Sequence, residues 1–287
     1  MIGTIATDLN PFVISAYGVR VPRIIYGTAW KKDRTAALVE QAVTLGFRGI
    51  DTACQPKHYN EAGVGAGLAA CLTAGLTRAD LYLQSKFTPA DGQDPARMPY
   101  DPKANLASQV EQSFQTSLSN LRTGYLDCLV LHSPLAKERQ LMDVWQAMEA
   151  IFAAGGAKQL GISNCYALVQ LERLYRKARV KPAVLQNRFH AETGYDREIR
   201  GFCRQHQILY QSFWTLTANA RVLAHDTLQA LASTYERTPA QVFFRYLTQS
   251  DIIPLTGTTA EAHMRDDLAI FDFELTEREC DAVDTLL

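Results

Sequence analysis

Five short apolar runs of this sequence close on polar side chains: Gly-Ile-Asp51, Leu-Gln-Ser-Lys86, Val-Leu-His132, Gly-Ile-Ser163 with Asn164 behind it, and Val-Leu-Gln186. If such runs are neighbouring strands pointing the same way, an acid, a lysine and a histidine from three of them meet at one rim. Singly, each has an ordinary structural use: Asp51 as a helix cap, Lys86 as a solvated cation, His132 as a buried ring with its hydrogen bonds satisfied. Together, at three consecutive run ends, they make a site whose proton affinities are set by its neighbours, which is the setting for acid–base chemistry.

Positioning those side chains takes a repeat of strands and helices, and the chain carries one. Eight runs read as strands: Arg23–Thr28, Arg48–Asp51, Leu81–Lys86, Leu126–His132, Gln159–Ser163, Ala183–Gln186, Ile208–Phe213 and Ile252–Pro254. Amphipathic helices lie between them. Leu141, Val144, Trp145, Met148, Ile151 and Phe152 form one apolar stripe that Gly155–Gly156 ends, and Val110, Phe114, Leu118 and Leu121 form another. Asp33 is placed to N-cap a helix that stops at Gly46, and Thr238-Pro-Ala-Gln241 has the form of a capping box with Pro at the first helical position. Eight strand–helix units predict an α/β fold, a single-domain (β/α)8 TIM barrel over residues 1–287, with an open doubly wound sheet as the alternative. Ahead of the repeat, Phe12–Ser15 and Val19–Pro22 flank Ala-Tyr-Gly, which predicts a short N-terminal β-hairpin on the barrel floor.

The chain has 287 residues with 29 Lys+Arg against 30 Asp+Glu, a net charge of −1, which excludes binding to nucleic acid or a membrane surface through bulk charge. Hydrophobic content of 47% with 21% charged residues excludes extended disorder. No apolar run approaches the ~20 residues of a membrane helix, and Met1–Asn10 lacks the basic and apolar regions of a signal peptide, so a cytoplasmic protein is expected. The cysteines Cys54, Cys71, Cys128, Cys165, Cys203 and Cys280 are scattered without a CxxC, and read as reduced, mostly buried thiols. The histidines show neither HxH nor HExxH, so no metal site is expected and a metal-dependent barrel hydrolase lacks its usual ligand pattern.

In its ordered motifs the chain resembles the aldo-keto reductases. The similarity runs from Val21-Pro-Arg-Ile-Ile-Tyr-Gly-Thr28 through Ile50-Asp-Thr-Ala53, Leu131-His-Ser-Pro134, Gly161-Ile-Ser-Asn164 and Thr238-Pro-Ala-Gln241 to Phe271-Asp-Phe-Glu-Leu-Thr276. The resemblance implies NAD(P)H-dependent reduction of aldehydes and ketones, with a catalytic tetrad at Asp51, Tyr59, Lys86 and His132. Charge building on the carbonyl oxygen must be met by a proton donor and hydrogen bonds. In this scheme Tyr59 gives the proton, Lys86 lowers the phenol pKa, Asp51 holds Lys86 charged, and His132 orients the carbonyl. The family places its tyrosine five residues after the aspartate, whereas Asp51 and Tyr59 are eight apart, which makes His58 a competitor for the role. Tyr59 is preferred because Asn60-Glu61 and Val64-Gly65 follow it as in the family. His58 otherwise lines the substrate pocket or lies exposed in its loop.

The same resemblance implies a cofactor site. Ser163, Asn164 and Gln186 correspond to the residues that hydrogen-bond the nicotinamide carboxamide, and Phe213 to the ring stacked on it, or Trp214 if the register slips by one. Thr28 and Leu216 join this set, and Thr256, Gly257, Thr258, Arg265 and Asp267 form the adenosine end. The lysine usual after Ile-Pro is Leu255 here and the usual arginine is displaced, with His263 or Arg265 nearby, so NADPH is the expected cofactor and NADH the alternative. Trp30, His58 and Phe87 are candidate substrate contacts, and Thr88–Pro102 reads as a functional loop rather than a packed element. The chain ends at Leu287 without the family's extended C-terminal loop, which predicts an open pocket. The expected partner is a small carbonyl compound, with no nucleic acid or membrane, acting on a monomer or weak homo-oligomer. The competing reading is a non-catalytic nicotinamide-binding sensor, which the Asp51 to Tyr59 spacing keeps open.

Overall fold

The structure is a computed structural model and describes residues 10–287. Residues 1–9, on which the reading of the N-terminus rests, lie outside the described residues. Two short strands, β1 (Phe12–Ile14) and β2 (Arg20–Pro22), precede eight more: β3 (Ile25–Gly27), β4 (Gly49–Asp51), β5 (Tyr82–Phe87), β6 (Cys128–Leu131), β7 (Leu160–Ser163), β8 (Val184–Arg188), β9 (Leu209–Phe213) and β10 (Ile252–Thr256). The helices are α1 (Thr35–Leu45), α2 (Glu61–Thr73), α3 (Leu106–Leu121), α4 (Glu138–Ala153), α5 (Leu168–Lys177), α6 (Arg197–Gln205), α7 (Ala220–Leu223), α8 (Asp226–Tyr235), α9 (Pro239–Gln249), α10 (Glu261–Leu268) and α11 (Glu277–Asp284).

Strands β3 to β10 pair in parallel in sequence order, and β10 returns to β3, closing a (β/α)8 barrel. These are the eight runs read from the sequence. Both faces of each strand are covered, by the barrel interior and by helices, so the strands are buried almost throughout, and β5, β8 and β9 turn Gln84, Lys86, Gln186 and Gln211 into that interior. The expected hairpin also forms: β1 and β2 are antiparallel with Val13 opposite Val21. Val19 and Val21 join Ile25, Tyr82, Val130, Val184 and Ile253 in one buried cluster, so the hairpin stoppers the floor of the barrel.

The outer helices follow their sequence signals with one exception. In α4 the stripe Leu141, Val144, Trp145, Met148 and Ile151 is buried, and Trp145 Nε1 donates to the Val180 carbonyl at 3.0 Å. The Thr238/Gln241 capping box opens α9 with Pro239 at the first position. Asp33 does not cap α1. It lies in a 3-10 turn, Lys32–Arg34, and the helix starts beyond it at Thr35, whose hydroxyl donates to the Lys32 carbonyl at 2.7 Å. Helix α2 presses so close to α3 that a Cβ on Gly65 would lie 2.0 Å from the Asn120 carbonyl oxygen, and only glycine fits there.

The segment after β5 is a loop, as expected: Thr88–Pro102 carries 3-10 turns at Ala90–Gly92 and Pro95–Arg97, with its tip exposed and its two ends anchored. Buried Tyr100 donates to the Thr88 carbonyl at 2.8 Å and Gln93 Nε2 to the Cys54 carbonyl at 2.8 Å, so the loop's own polar groups seal it to the chain after β4. All six cysteines are unpaired, five of them buried. Among the described residues no helix is long and apolar enough to cross a membrane.

Candidate active site

Side chains alternate across a strand, so residues two apart share a face. On β5, Gln84 and Lys86 both point into the barrel, and Phe87 therefore points out. Lys86 Nζ donates to Asp51 Oδ1 and Oδ2, each at 2.7 Å, and to the Thr52 carbonyl at 2.9 Å. Both side chains are almost wholly buried. A buried ion pair persists only when its remaining bonding capacity is met. Here Asp51 Oδ1 also accepts from Gln84 Nε2 at 2.7 Å and Gln186 Nε2 at 3.0 Å. Those amides in turn donate to Gln211 Oε1, at 2.8 and 2.9 Å. Burial is the largest influence and works against the Lys86 charge, but the Asp51 carboxylate and, after it, Tyr59 together outweigh burial and hold the ammonium above its ordinary pKa.

The eight-residue interval after Asp51 is taken up by a turn. Thr52 N donates to the Gln84 carbonyl and Cys54 N to the Lys86 carbonyl, which lays the chain along β5. Gln55 then reverses it: its carbonyl accepts from the amides of His58 and Tyr59, and its Nε2 donates to the Gly92 carbonyl at 2.6 Å. The turn returns Tyr59 to the rim, with Lys86 Nζ 5.3 Å from its ring centroid. The His132 ring meets it edge-on at 6.0 Å. Asp51, Tyr59, Lys86 and His132 are thus brought together, and His58 is not among them. His58 lies outside, its Nδ1 at 2.9 Å from Gln55 Oε1 and its ring against that of exposed Trp30 at 4.1 Å.

The electrostatics differ from the sequence expectation at one point. Burial pushes the Tyr59 phenol above its ordinary value near 10; Lys86 pulls against this, Asp51 adds to it, and the net direction is upward. The lysine therefore lowers the phenol relative to a buried phenol, not relative to water. Burial, and then the charges of Lys86 and His58, push His132 well below its ordinary value, so the ring is neutral at physiological pH. Its Nδ1 lies 2.7 Å from Thr88 Oγ1, a partner that sequence reasoning missed.

Residues suited to a nicotinamide line the same rim. Ser163 Oγ donates to the Gln186 carbonyl at 2.7 Å, and Asn164, in the left-handed region at φ 54°, donates to the His132 carbonyl at 2.9 Å. Gln186 keeps both amide hydrogens on Asp51 and Gln211. On β9, Gln211 points inward, so Phe213 faces the barrel mouth, while Trp214 is 52% exposed with the Arg188 guanidinium 4.2 Å over its ring. Amide, hydroxyl and aromatic groups at adjoining strand ends fit the recognition of an aromatic carboxamide.

Several of the expected contacts also have structural partners. Phe87 is buried against Tyr100 with centroids 5.6 Å apart, so it is core and not a pocket wall. Thr28 is fully buried, and its amide and hydroxyl both donate to the Asp51 carbonyl, at 3.0 and 2.9 Å. Thr256 Oγ1 donates to buried Asp267 at 2.6 Å, and burial raises that carboxyl to about 6. Leu216 packs half-buried against the core. Arg265 is exposed and paired with Glu261 at 2.7 Å, and Gly257 and Thr258 form the β10–α10 turn. Lys31, which sequence reasoning missed, extends from the β3–α1 loop and donates to the Gly257 carbonyl. Its signal was its place directly after Trp30, in a loop that opens on the rim. Among the described residues no group of His, Cys, Asp and Glu is gathered as a metal set.

Residues 23–287 match the Aldo/keto reductase family. The chain belongs to that family. It is 30% identical to the glyoxal reductase of Bacillus subtilis over 98% of this chain and 94% of that one. The oxidoreductase YtbE of the same organism is 33% identical over 86% and 82%. The solved aldo/keto reductase from Brucella melitensis superposes with a TM-score of 0.82 at 28% identity, covering 96% of this chain and 99% of that chain.

Proposed function

We propose that this aldo/keto reductase reduces small aldehydes and ketones to alcohols in the cytoplasm with NADPH, as one barrel domain and as a monomer or weak homo-oligomer. The observation that carries the reading is the buried Lys86–Asp51 pair, 2.7 Å at both oxygens, set beneath the Tyr59 ring with His132 beside it. Ser163, Asn164, Gln186 and Phe213 would hold the nicotinamide, and Lys31 and Thr258 its adenosine end. The bound cofactor supplies the electron pair and hydrogen that reach the carbonyl carbon.

This chain's residues manage the proton. Tyr59 donates its phenolic hydrogen to the carbonyl oxygen, and the Lys86 ammonium stabilises the phenolate left behind. Asp51 keeps Lys86 charged, and the interior amides keep Asp51 from needing a proton. With the Thr88 hydroxyl donating to Nδ1, the neutral His132 ring carries its hydrogen on Nε2, free to bond the same carbonyl oxygen. The Trp30–His58 pair forms an aromatic wall for the substrate. The glyoxal reductase relative supports small oxo-aldehydes as substrates, and six unpaired thiols suit a reducing compartment.

The test is spectrophotometric: NADPH and NADH are each mixed with the protein and offered glyoxal, methylglyoxal and benzaldehyde. Aldehyde-dependent oxidation of NADPH is expected. Tight cofactor binding without turnover across the panel would favour the sensor reading, and no binding of either cofactor would overturn the proposal.

A further inference from the structure

At the opposite end of the barrel from the tetrad, a cavity of about 380 Å³ opens on the floor. It lies between the hairpin, the end of α6, the start of β9 and the α9–β10 turn. β9 runs from Leu209 in this cavity to Phe213 at the rim, four residue steps or roughly 13 Å of strand. The cavity is within the size range of small-molecule sites.

Its charge is the notable feature. Arg200 lines it and is only 6% exposed, yet among the described residues it has no ion-pair partner. Its Nε donates to the Tyr195 carbonyl at 2.9 Å, and its guanidinium carbon lies 5.7 Å from the Phe189 ring centroid. The acids nearby are committed elsewhere. Asp284 accepts from Tyr246 at 2.7 Å and pairs with Arg197 at 3.3 Å, and Asp196 accepts from Tyr210 at 2.9 Å and Asn187 at 2.7 Å. Asp284 and the Tyr246 and Tyr210 hydroxyls still attract the guanidinium at longer range, but among the described residues its two Nη atoms have no hydrogen-bond partner, and an anion in the cavity would supply the acceptors. Arg204, one turn further along α6, lines the same cavity and is exposed. Asp251 is the one acid in the lining, which leaves two cations against one anion. The remaining walls include Ile14, 62% exposed, with Leu209 and Ile252.

We propose that this cavity is a second ligand site, distinct from the reductase centre, for a small organic anion whose carboxylate or phosphate head is held by Arg200 and Arg204 and whose apolar body rests on Ile14, Leu209 and Ile252. Arginine presents a planar fork of donors suited to either head group. The floor of a barrel is remote from its chemistry, so occupancy here adds to stability by binding the folded state alone.

Calorimetric titration with hexanoate, hexyl phosphate and neutral hexanol tests this, on the unaltered protein and on Arg200→Gln and Arg204→Gln. One anion per chain is expected to bind saturably, with hexanol at least about tenfold weaker and each variant losing about tenfold or more. Whichever head binds tighter identifies the ligand class, and carbonyl reduction stays unchanged in both variants. Because Arg204 is exposed, its variant keeps the test valid should the buried Arg200 variant fold poorly. Absence of saturable binding by either anion, undiminished binding by Arg204→Gln, or hexanol binding as tightly as the anions would each overturn the proposal.

Discussion

Trp30 and His58 are held to each other twice: the Trp30 amide donates to the His58 carbonyl at 2.8 Å, and their rings lie 4.1 Å apart. This double contact ties the loop after β3 to the loop after β4, one residue before Tyr59. The extra length of that second loop is thereby spent in a turn that occupies His58 at the surface and frees Tyr59 for the rim.

Tyr59→Phe keeps the ring and removes the proton. Carbonyl reduction should fall by about 10² to 10⁴ in kcat with cofactor affinity unchanged, while His58→Asn should alter KM far more than kcat. Steady-state kinetics with methylglyoxal checks both, and an active Tyr59→Phe enzyme would move the donor role away from the phenol.

Lys86→Met strands the Asp51 carboxylate among amides. Removal of one partner of a buried pair costs about 3–5 kcal/mol, so a lower denaturation midpoint should accompany the loss of activity. Urea unfolding followed by fluorescence measures it. An inactive variant of unchanged stability would mean that Asp51 takes up a proton at no cost.

The directions of the pKa shifts set the pH profile. Tyr59 lies above the ordinary phenol range and must stay protonated to donate, so the alkaline limb of reduction should begin only above about pH 10. His132, depressed well below its ordinary value, should produce no inflection between pH 6 and 8, a range that bounds the ordinary imidazole value of about 6.5. A measured inflection near 6.5 that disappears in His132→Asn would contradict this.

Cofactor choice is open to a charge substitution at the surface. Glu261 holds Arg265 at 2.7 Å and also accepts from Gln41 at 3.0 Å. Glu261→Gln should release the guanidinium toward a 2′-phosphate and raise the preference for NADPH over NADH by about tenfold, at low salt most of all. Comparison of the two Kd values by fluorescence titration checks the direction.

Asp267 carries a pH-dependent penalty. Its carboxyl, ordinarily near 3.8, is raised to about 6 by burial, so the folded protein binds a proton the unfolded chain has lost between those values. Stability therefore falls as pH rises through that window, and the penalty is complete above it. Asp267→Asn, which still accepts from Thr256, should stabilise the protein by about 3 kcal/mol at pH 8 and by little at pH 4. Thermal unfolding without cofactor at the two pH values measures the difference.

The strands are legible because each carries a short apolar stretch between amphipathic helices, and the polar ends of five of them point to the rim. The features that the sequence does not show depend on distant partners. The turn at Gln55 is held by the carbonyls of Lys86 and Gly92, which no local spacing encodes. Thr88 and Lys31 matter through contacts with His132 and Gly257, far along the chain. Phe87 is core rather than pocket wall because its place next to Lys86 puts it on the opposite face of β5. Asp33 has the residue type of a cap, but the preceding 3-10 turn moves the helix start past it.

The amides around Asp51 have one sense of direction. A carboxylate can only accept, so Gln84 and Gln186 must turn their NH2 groups to it. Gln84 Oε1 then takes the Tyr82 hydroxyl at 2.8 Å and Gln211 Nε2 at 3.2 Å, and Gln159 Nε2 approaches the Tyr82 oxygen at 3.3 Å. No member can be reversed or replaced without leaving its neighbour facing the wrong pole. In descendants of this chain Gln84, Gln186, Gln211 and Gln159 should therefore be inherited or exchanged as a block, together with the acid that orders them.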